Sequence, residues 1–208
     1  MLKVLQLKTS ILDAQNSQGV SSQLSDELVE RLRQQQAGLE VTLRDFSKTP
    51  VPYFDNAWLQ ALMTPVEQRS AEQVKQARYS DDLITEVKEA DVLVIGVPMY
   101  NFMIPAMLKS WTDHIARAGV TFKYTASGSE GLLENKKVYL VMSTGGTHEE
   151  AVTDFIRPFM RVFLGFLGIS NVEFIVADGL NMGEELRNAG FAQARKAIEQ
   201  LNSQGELA

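Results

Sequence analysis

At 208 residues, with 45% hydrophobic and 22% charged side chains, the chain has the composition of an ordinary folded domain, large enough for a core without disulfides or metal. A net charge of -6 and the lack of any Lys/Arg cluster exclude a nucleic-acid or anionic-membrane surface, since both select basic patches. Zero cysteines exclude thiol redox catalysis and thiolate metal sites, so any redox chemistry must be carried by a bound cofactor.

In chain order, Met1 to Lys8 is a strand pattern ending in lysine and not the core of a secretory signal. The first strand is drawn at Lys3 to Leu7. A polar loop leads to a helix near Ser22 to Gln35, where Leu24, Leu28 and Leu32 recur at helical spacing and Asp26 and Glu27 lie near the positive end of the dipole. A second strand, Glu40 to Arg44, is followed by a long irregular connection, Phe46 to Met63, with Pro50, Pro52 and Tyr53. Thr64-Pro65-Val66-Glu67 reads as a capping box opening a helix from Pro65 to Glu89. The run Val92 to Val97 is apolar without a break, as expected of a central parallel strand covered on both faces. Proline stops it, and a helix from Pro105 to Ala118 follows, closed by Gly119. Strands at Lys137 to Met142 and Val172 to Ala177 alternate with helices at Val152 to Leu167 and Glu184 to Leu201. Phe155, Phe159, Met160, Phe163 and Phe166 cover most of the fourth helix, so it is either fully buried or packed on a partner subunit. Pro158 would kink that helix or confine itself to its first turn. The segment Phe155 to Ile169 carries Arg157 and Arg161 and is too short to span a bilayer, so no membrane insertion is expected and the expected location is cytoplasmic.

Strands alternating with helices give a doubly wound five-stranded parallel sheet in a three-layer α/β/α arrangement, as one domain over residues 1–208. In such sheets ligands sit beyond the carboxyl ends of the strands. Three strand ends carry suggestive residues. After the first strand come Lys8-Thr9-Ser10 and a loop with Ser17, Gly19, Ser21 and Ser22. Free amides at a helix start plus hydroxyls can hold a phosphate, although the same serines could simply N-cap the helix. Neither a GxxxxGK[ST] nor a GxGxxG motif is present. After the third strand, Met99, Tyr100, Asn101 and Phe102 offer flat faces beside a donor and acceptor. After the fourth, Ser143-Thr144-Gly145-Gly146-Thr147-His148 lets backbone approach a ligand closely. His148 is the candidate site histidine, whereas His114 is expected to pack or cap on its helix. No metal ligand set is expected.

With Lys8-Thr9-Ser10-Ile11-Leu12, Pro98-Met99-Tyr100-Asn101-Phe102, Ala118-Gly119-Val120-Thr121-Phe122 and Gly145-Gly146 with His148, the chain resembles the FMN-dependent NADH-azoreductase family of flavodoxin-like quinone reductases over nearly its whole length. The resemblance implies a flavodoxin-like sheet of order 2-1-3-4-5. It also implies one FMN per subunit and a homodimer with active sites at the subunit interface. By residue, it implies that Ser10, Gly19, Val20 and Ser21 hold the phosphate and that Met99, Tyr100, Asn101 and Phe102 line the isoalloxazine. Ser143, Thr144, Gly145 and Gly146 would contact its polar edge, with His148 and Asn101 as catalytic candidates. NADH or NADPH would then donate hydride for ping-pong reduction of quinones and azo compounds. Two departures stand out. The family often has Ser-x-Ser where Gly19-Val20-Ser21 stands, with Ser17-Gln18 able to fill the first serine's role, and often has arginine where Thr144 stands. A one-electron flavodoxin-type carrier is the alternative; it would be shorter and would not need the Phe46 to Met63 connection. A signalling receiver lacks its acidic residues here, and a nicotinamide-only dehydrogenase lacks its glycine fingerprint.

Overall fold

A computed structural model of the chain describes residues 1–12, 19–148 and 152–201. Five strands, β1 (Lys3–Lys8), β2 (Glu40–Asp45), β3 (Val92–Pro98), β6 (Lys137–Ser143) and β7 (Val172–Ala177), form a parallel sheet in the order β2-β1-β3-β6-β7. Counted without β4 (Phe122–Thr125) and β5 (Gly128–Gly131), which pair with each other outside this sheet, that is the order 2-1-3-4-5. β3 and β6 are buried at every position, so both of their faces need apolar side chains and their sequences run without polar alternation. Parity divides them. Val92 and Val94 face a core shared with α1 (Val20–Gln35) and α6 (Glu184–Gln200) through Leu24, Leu28, Ala194 and Ile198. Leu93, Ile95 and Val97 face the opposite core, shared with α3 (Ala71–Glu89), α4 (Ala106–Ile115) and α5 (Ile156–Leu167) through Leu83, Leu108, Trp111 and Met160.

Several local expectations change. The Phe46 to Met63 connection contains α2 (Asn56–Met63), N-capped by Asp55, whose Oδ1 accepts from Ala57 N at 2.9 Å and Trp58 N at 3.1 Å. Thr64 closes that helix, donating its hydroxyl to Gln60 O at 2.7 Å, and its oxygen accepts from the Gln73 side chain at 3.2 Å and not from a backbone N–H of a following helix. Pro65 instead enters a 3₁₀ turn (Val66–Gln68), and the capping box that opens α3 is Ser70 with Gln73. Asp26 and Glu27 lie beyond the first turn of α1; Asp26 pairs with Lys8 and Glu27 with Arg195. The helix begun after Pro105 ends at Ile115, four positions before Gly119, which takes φ +77° in the following turn. A two-stranded hairpin, β4 (Phe122–Thr125) with β5 (Gly128–Gly131), was not expected, because its strands are short and mostly exposed and so carry no apolar alternation.

α5 begins at Ile156, which leaves Pro158 in its first turn without a kink. Of the two readings of its apolar circumference, full burial is corrected. Ile156, Met160, Leu164 and Leu167 are buried, while Val162 is 73% exposed. His114 packs, as expected, with its ring edge-on to Phe54, Trp58 and Tyr79 and its Nε2 3.0 Å from Pro52 O. Burial holds its pKa below the ordinary histidine value. This contact pins the connection after β2 onto α3 and α4.

Lys136 closes the far end of α3. Its Nζ donates to the carbonyls of Val87 (2.7 Å), Lys88 (3.2 Å) and Ala90 (2.5 Å), groups that the helix end leaves without partners. Lys136→Met should therefore lower the unfolding free energy in urea titration by about 2 kcal/mol. A loss below about 0.5 kcal/mol would mean that water replaces the ammonium without penalty.

Candidate active site at the carboxyl edge of the sheet

The register brings the three candidate turns to one edge. Gly96 lies beside Lys8 across β1 and β3, and Pro98 lies beside Ser143 across β3 and β6. Gly96 also lets α1 lie close over β3, because a Cβ there would come 2.9 Å from Ser21 O. The start of α1 is thereby held against the strand ends. Thr9 fixes the turn after β1 by donating its hydroxyl to Gly96 O at 2.7 Å.

At the first turn, Ser10 and Ser21 are both buried. Ser21 Oγ has no hydrogen-bond partner among the described residues, an unfavourable condition for a buried hydroxyl. Gly19 is the N-cap of α1 and offers no side-chain oxygen, and no described residue accepts from the Val20, Ser21 or Ser22 N–H. A Cβ on Gly19 would overlap Ser10 Oγ, so glycine lets the Ser10 side chain lie against the start of α1. Val20 contributes its backbone only, since its side chain packs against the α1 core. Ser17 and Gln18 lie outside the described residues.

The elbow after β3 is a tight hairpin turn. Tyr100 N donates to Met103 O at 2.9 Å, and Met103 N returns the bond at 3.1 Å. The two residues between them take positive φ, Asn101 at 50° and Phe102 at 68°, as a type I′ turn requires. Asparagine tolerates this conformation, whereas a phenylalanine there costs of order 1 kcal/mol. The ring of Phe102 is 51% exposed and meets His148 edge-on at 5.9 Å. No described residue bonds the Asn101 side-chain amide, and Met99 packs partly into the core.

The turn after β6 is held from behind by the loop that follows β7. Leu180 N donates to Thr144 O (3.2 Å), Asn181 N to Gly145 O (2.9 Å) and Gly179 N to Gly146 O (3.0 Å). With those carbonyls engaged, no described residue accepts from the Gly145 or Gly146 N–H. Neither glycine has positive φ, so their contribution is space and bare amides, not conformational freedom. Thr144 does not present its hydroxyl outward. It is buried and donates to Gly146 O at 2.6 Å inside the turn. Ser143 is buried as well, and its carbonyl accepts from Met99 N at 2.8 Å, which joins the elbow to β6.

Two residues near the site escaped the sequence reading. Thr153 Oγ1 lies 2.9 Å from His148 Nδ1 and so orients that ring. The side chain of Asn181 lies against Gly145, where a Cβ would come 2.6 Å from its Nδ2. Asn181 follows the fifth strand at the same edge, a position that could have marked it.

The edge as built offers amide and hydroxyl donors, exposed aromatic surface and one histidine. That inventory suits the binding of an anionic, flat, oxygen-rich molecule rather than attack on one. Ser10 and Ser21 brought together at Gly19, with the Ser21 hydroxyl and the amides of Gly145 and Gly146 lacking partners among the described residues, fit a phosphorylated planar cofactor such as FMN.

Residues 3–201 match a family described as having a flavodoxin-like fold. The chain is 47% identical over 200 residues to an FMN-dependent NADH:quinone oxidoreductase of Cellvibrio japonicus, covering 96% of this chain and 98% of that one. It is 46% identical over 202 residues to a protein of the same name from Bordetella parapertussis, covering 97% and 95%. Among solved structures, an azoreductase from Bacillus anthracis superposes with a TM-score of 0.84 at 29% identity, covering 97% of this chain and 100% of that one.

Proposed function

This chain belongs to the flavodoxin-like fold family, and from that premise we propose that it is an FMN-dependent NADH:quinone oxidoreductase that also reduces azo compounds. The observation that carries this reading is the set of donors at one sheet edge that have no partner among the described residues. They are the Ser21 hydroxyl and first α1 amides at one end and the Gly145 and Gly146 amides at the other, with the elbow between them.

Bound there, FMN supplies the hydride chemistry, taking two electrons from the nicotinamide and giving them to a flat acceptor. Ser10, Ser21 and the N–H groups of Val20 and Ser22 hold the phosphate with the help of the α1 dipole. Met99, Tyr100, Asn101 and Phe102 line the ring system, and the amides of Gly145 and Gly146 with Asn101 stabilise negative charge at its polar edge. Ser143 and Thr144 contribute backbone, since Thr144 turns its hydroxyl inward. His148, oriented by Thr153, meets the acceptor beside Phe102. Donor and acceptor use one stacking surface in turn, which gives ping-pong kinetics.

We also propose a homodimer, supported by the apolar side chains left open on α5 and the hairpin, Val162 at 73% and Tyr124 at 76% exposed. Among the described residues no helix is long and apolar enough to cross a membrane, and the cytoplasm, where NADH is replenished, is the compartment we assign.

The test is the spectrum of the purified protein. A flavin band that bleaches on adding NADH without air supports the reading and excludes a one-electron carrier. Colourless protein that takes up no FMN by calorimetry would refute it. Asn101→Ala should slow flavin reduction in stopped flow by about tenfold, the loss of one well-placed hydrogen bond. Unchanged reduction and FMN retention would remove Asn101 from the site.

A further inference from the structure

Tyr100 reaches beyond the elbow that carries it. Its hydroxyl crosses to the turn after β1, where it lies 3.3 Å from Ser10 Oγ and accepts from Ile11 N at 3.3 Å. Ser10 Oγ in turn accepts from Leu12 N at 3.1 Å. Packing does little to place this turn, because Ile11 and Leu12 are 62% and 47% exposed. Thr9 anchors its start on Gly96, and of the three hydrogen bonds that Ser10, Ile11 and Leu12 make beyond it among the described residues, two end on one tyrosine oxygen.

Counting protons sharpens the point. Ile11 N–H, Leu12 N–H, the Ser10 hydroxyl and the Tyr100 hydroxyl bring four donors to three bonds. Whichever hydroxyl donates to the other, one O–H is left without a partner among the described residues, close to Gly19. The arrangement therefore fixes Ser10 and retains a donor for an anion's oxygen.

We propose that Tyr100 is a positioning residue that couples the phosphate end of the site to the ring end, setting the Ser10 turn through its hydroxyl. The proposal rests on the reading of the site as an FMN site. It separates the two functions of the side chain. The ring belongs to the elbow, and the oxygen serves the turn ninety positions earlier.

Tyr100→Phe keeps the ring and removes the oxygen. Calorimetric or fluorescence titration of the apoprotein should show FMN affinity lowered by about tenfold, the effect of losing a shared hydrogen bond in a partly buried polar cluster. Riboflavin, which lacks the phosphate, should bind both proteins alike to within about twofold. A second arm uses Ser10→Ala, in which Tyr100→Phe should cost FMN affinity clearly less than in the native chain, because the two hydroxyls act together. Equal losses for FMN and riboflavin, an unchanged FMN affinity, or strictly additive losses in the double variant would each overturn the coupling while leaving the cofactor intact. Native protein that binds neither flavin would instead overturn the cofactor reading itself, and the coupling with it.

Discussion

Gly19→Ala should leave the chain folded and reduce its affinity for FMN by about a hundredfold, the equivalent of a 2–3 kcal/mol overpacking penalty. Gly19 has φ -60° and ψ 142°, an ordinary conformation for any residue, so alanine brings no backbone strain. The obstacle is spatial. The new Cβ would overlap Ser10 Oγ and come 2.9 Å from Ser10 Cβ. Ser10 cannot yield easily, because it is buried and tied to Leu12 N and Tyr100. The methyl group would press Ser10 and the start of α1 apart, at the turn where we place the phosphate. Calorimetric titration with FMN beside a thermal melt checks both halves of the expectation. FMN affinity within about threefold of the native value would place the phosphate elsewhere.

The second large effect is on stability. Gly131→Ala should cost about 3–4 kcal/mol and lower the melting temperature by roughly 10 °C. Strand β5 lies directly on the end of α5. A Cβ on Gly131 would overlap Gly168 N and the Leu167 carbonyl carbon and come 2.5 Å from Gly168 Cα. These are backbone atoms and cannot rotate away. Gly168 is itself held as a left-handed cap at φ +105°, with Gly168 N donating to Gly165 O at 3.0 Å, and Leu133 N donates to Leu167 O at 2.9 Å across the same contact. Because this junction lies where α5 returns to the start of β7, away from the carboxyl edge, FMN affinity per folded molecule should change little. Urea unfolding that shows a cost below about 1 kcal/mol would mean that the hairpin can shift off the helix end.

The two substitutions act by one physical rule in different settings. In each, glycine is present because something approaches closely, a tied serine hydroxyl in one case and fixed backbone in the other. The first therefore disturbs the proposed phosphate turn and the second the fold.

The five sheet strands were legible in the sequence because burial on both faces of β3 and β6 forces an unbroken apolar run, and α/β alternation then leaves few topologies. The elbow from Met99 to Phe102 and the Gly145-Gly146 turn were legible as strand ends with unusual local chemistry. Helix α2 was hidden by the prolines before it, although Asp55 is a regular cap, and the β4–β5 hairpin was hidden by its exposure. Local pattern reports which face of an element is buried and where it stops. It cannot report which distant loop a side chain meets. That Tyr100 reaches Ser10, that Thr144 turns its hydroxyl inward and that Thr153 orients His148 follow from strand register and loop packing. Lys8 sits beside Gly96 only because β1 and β3 pair in that register. The sequence by itself thus determined the layers, the sheet and the edge at which we place the ligand, whereas the tertiary structure decided which donors there lack partners among the described residues, since that depends on groups far away in the chain.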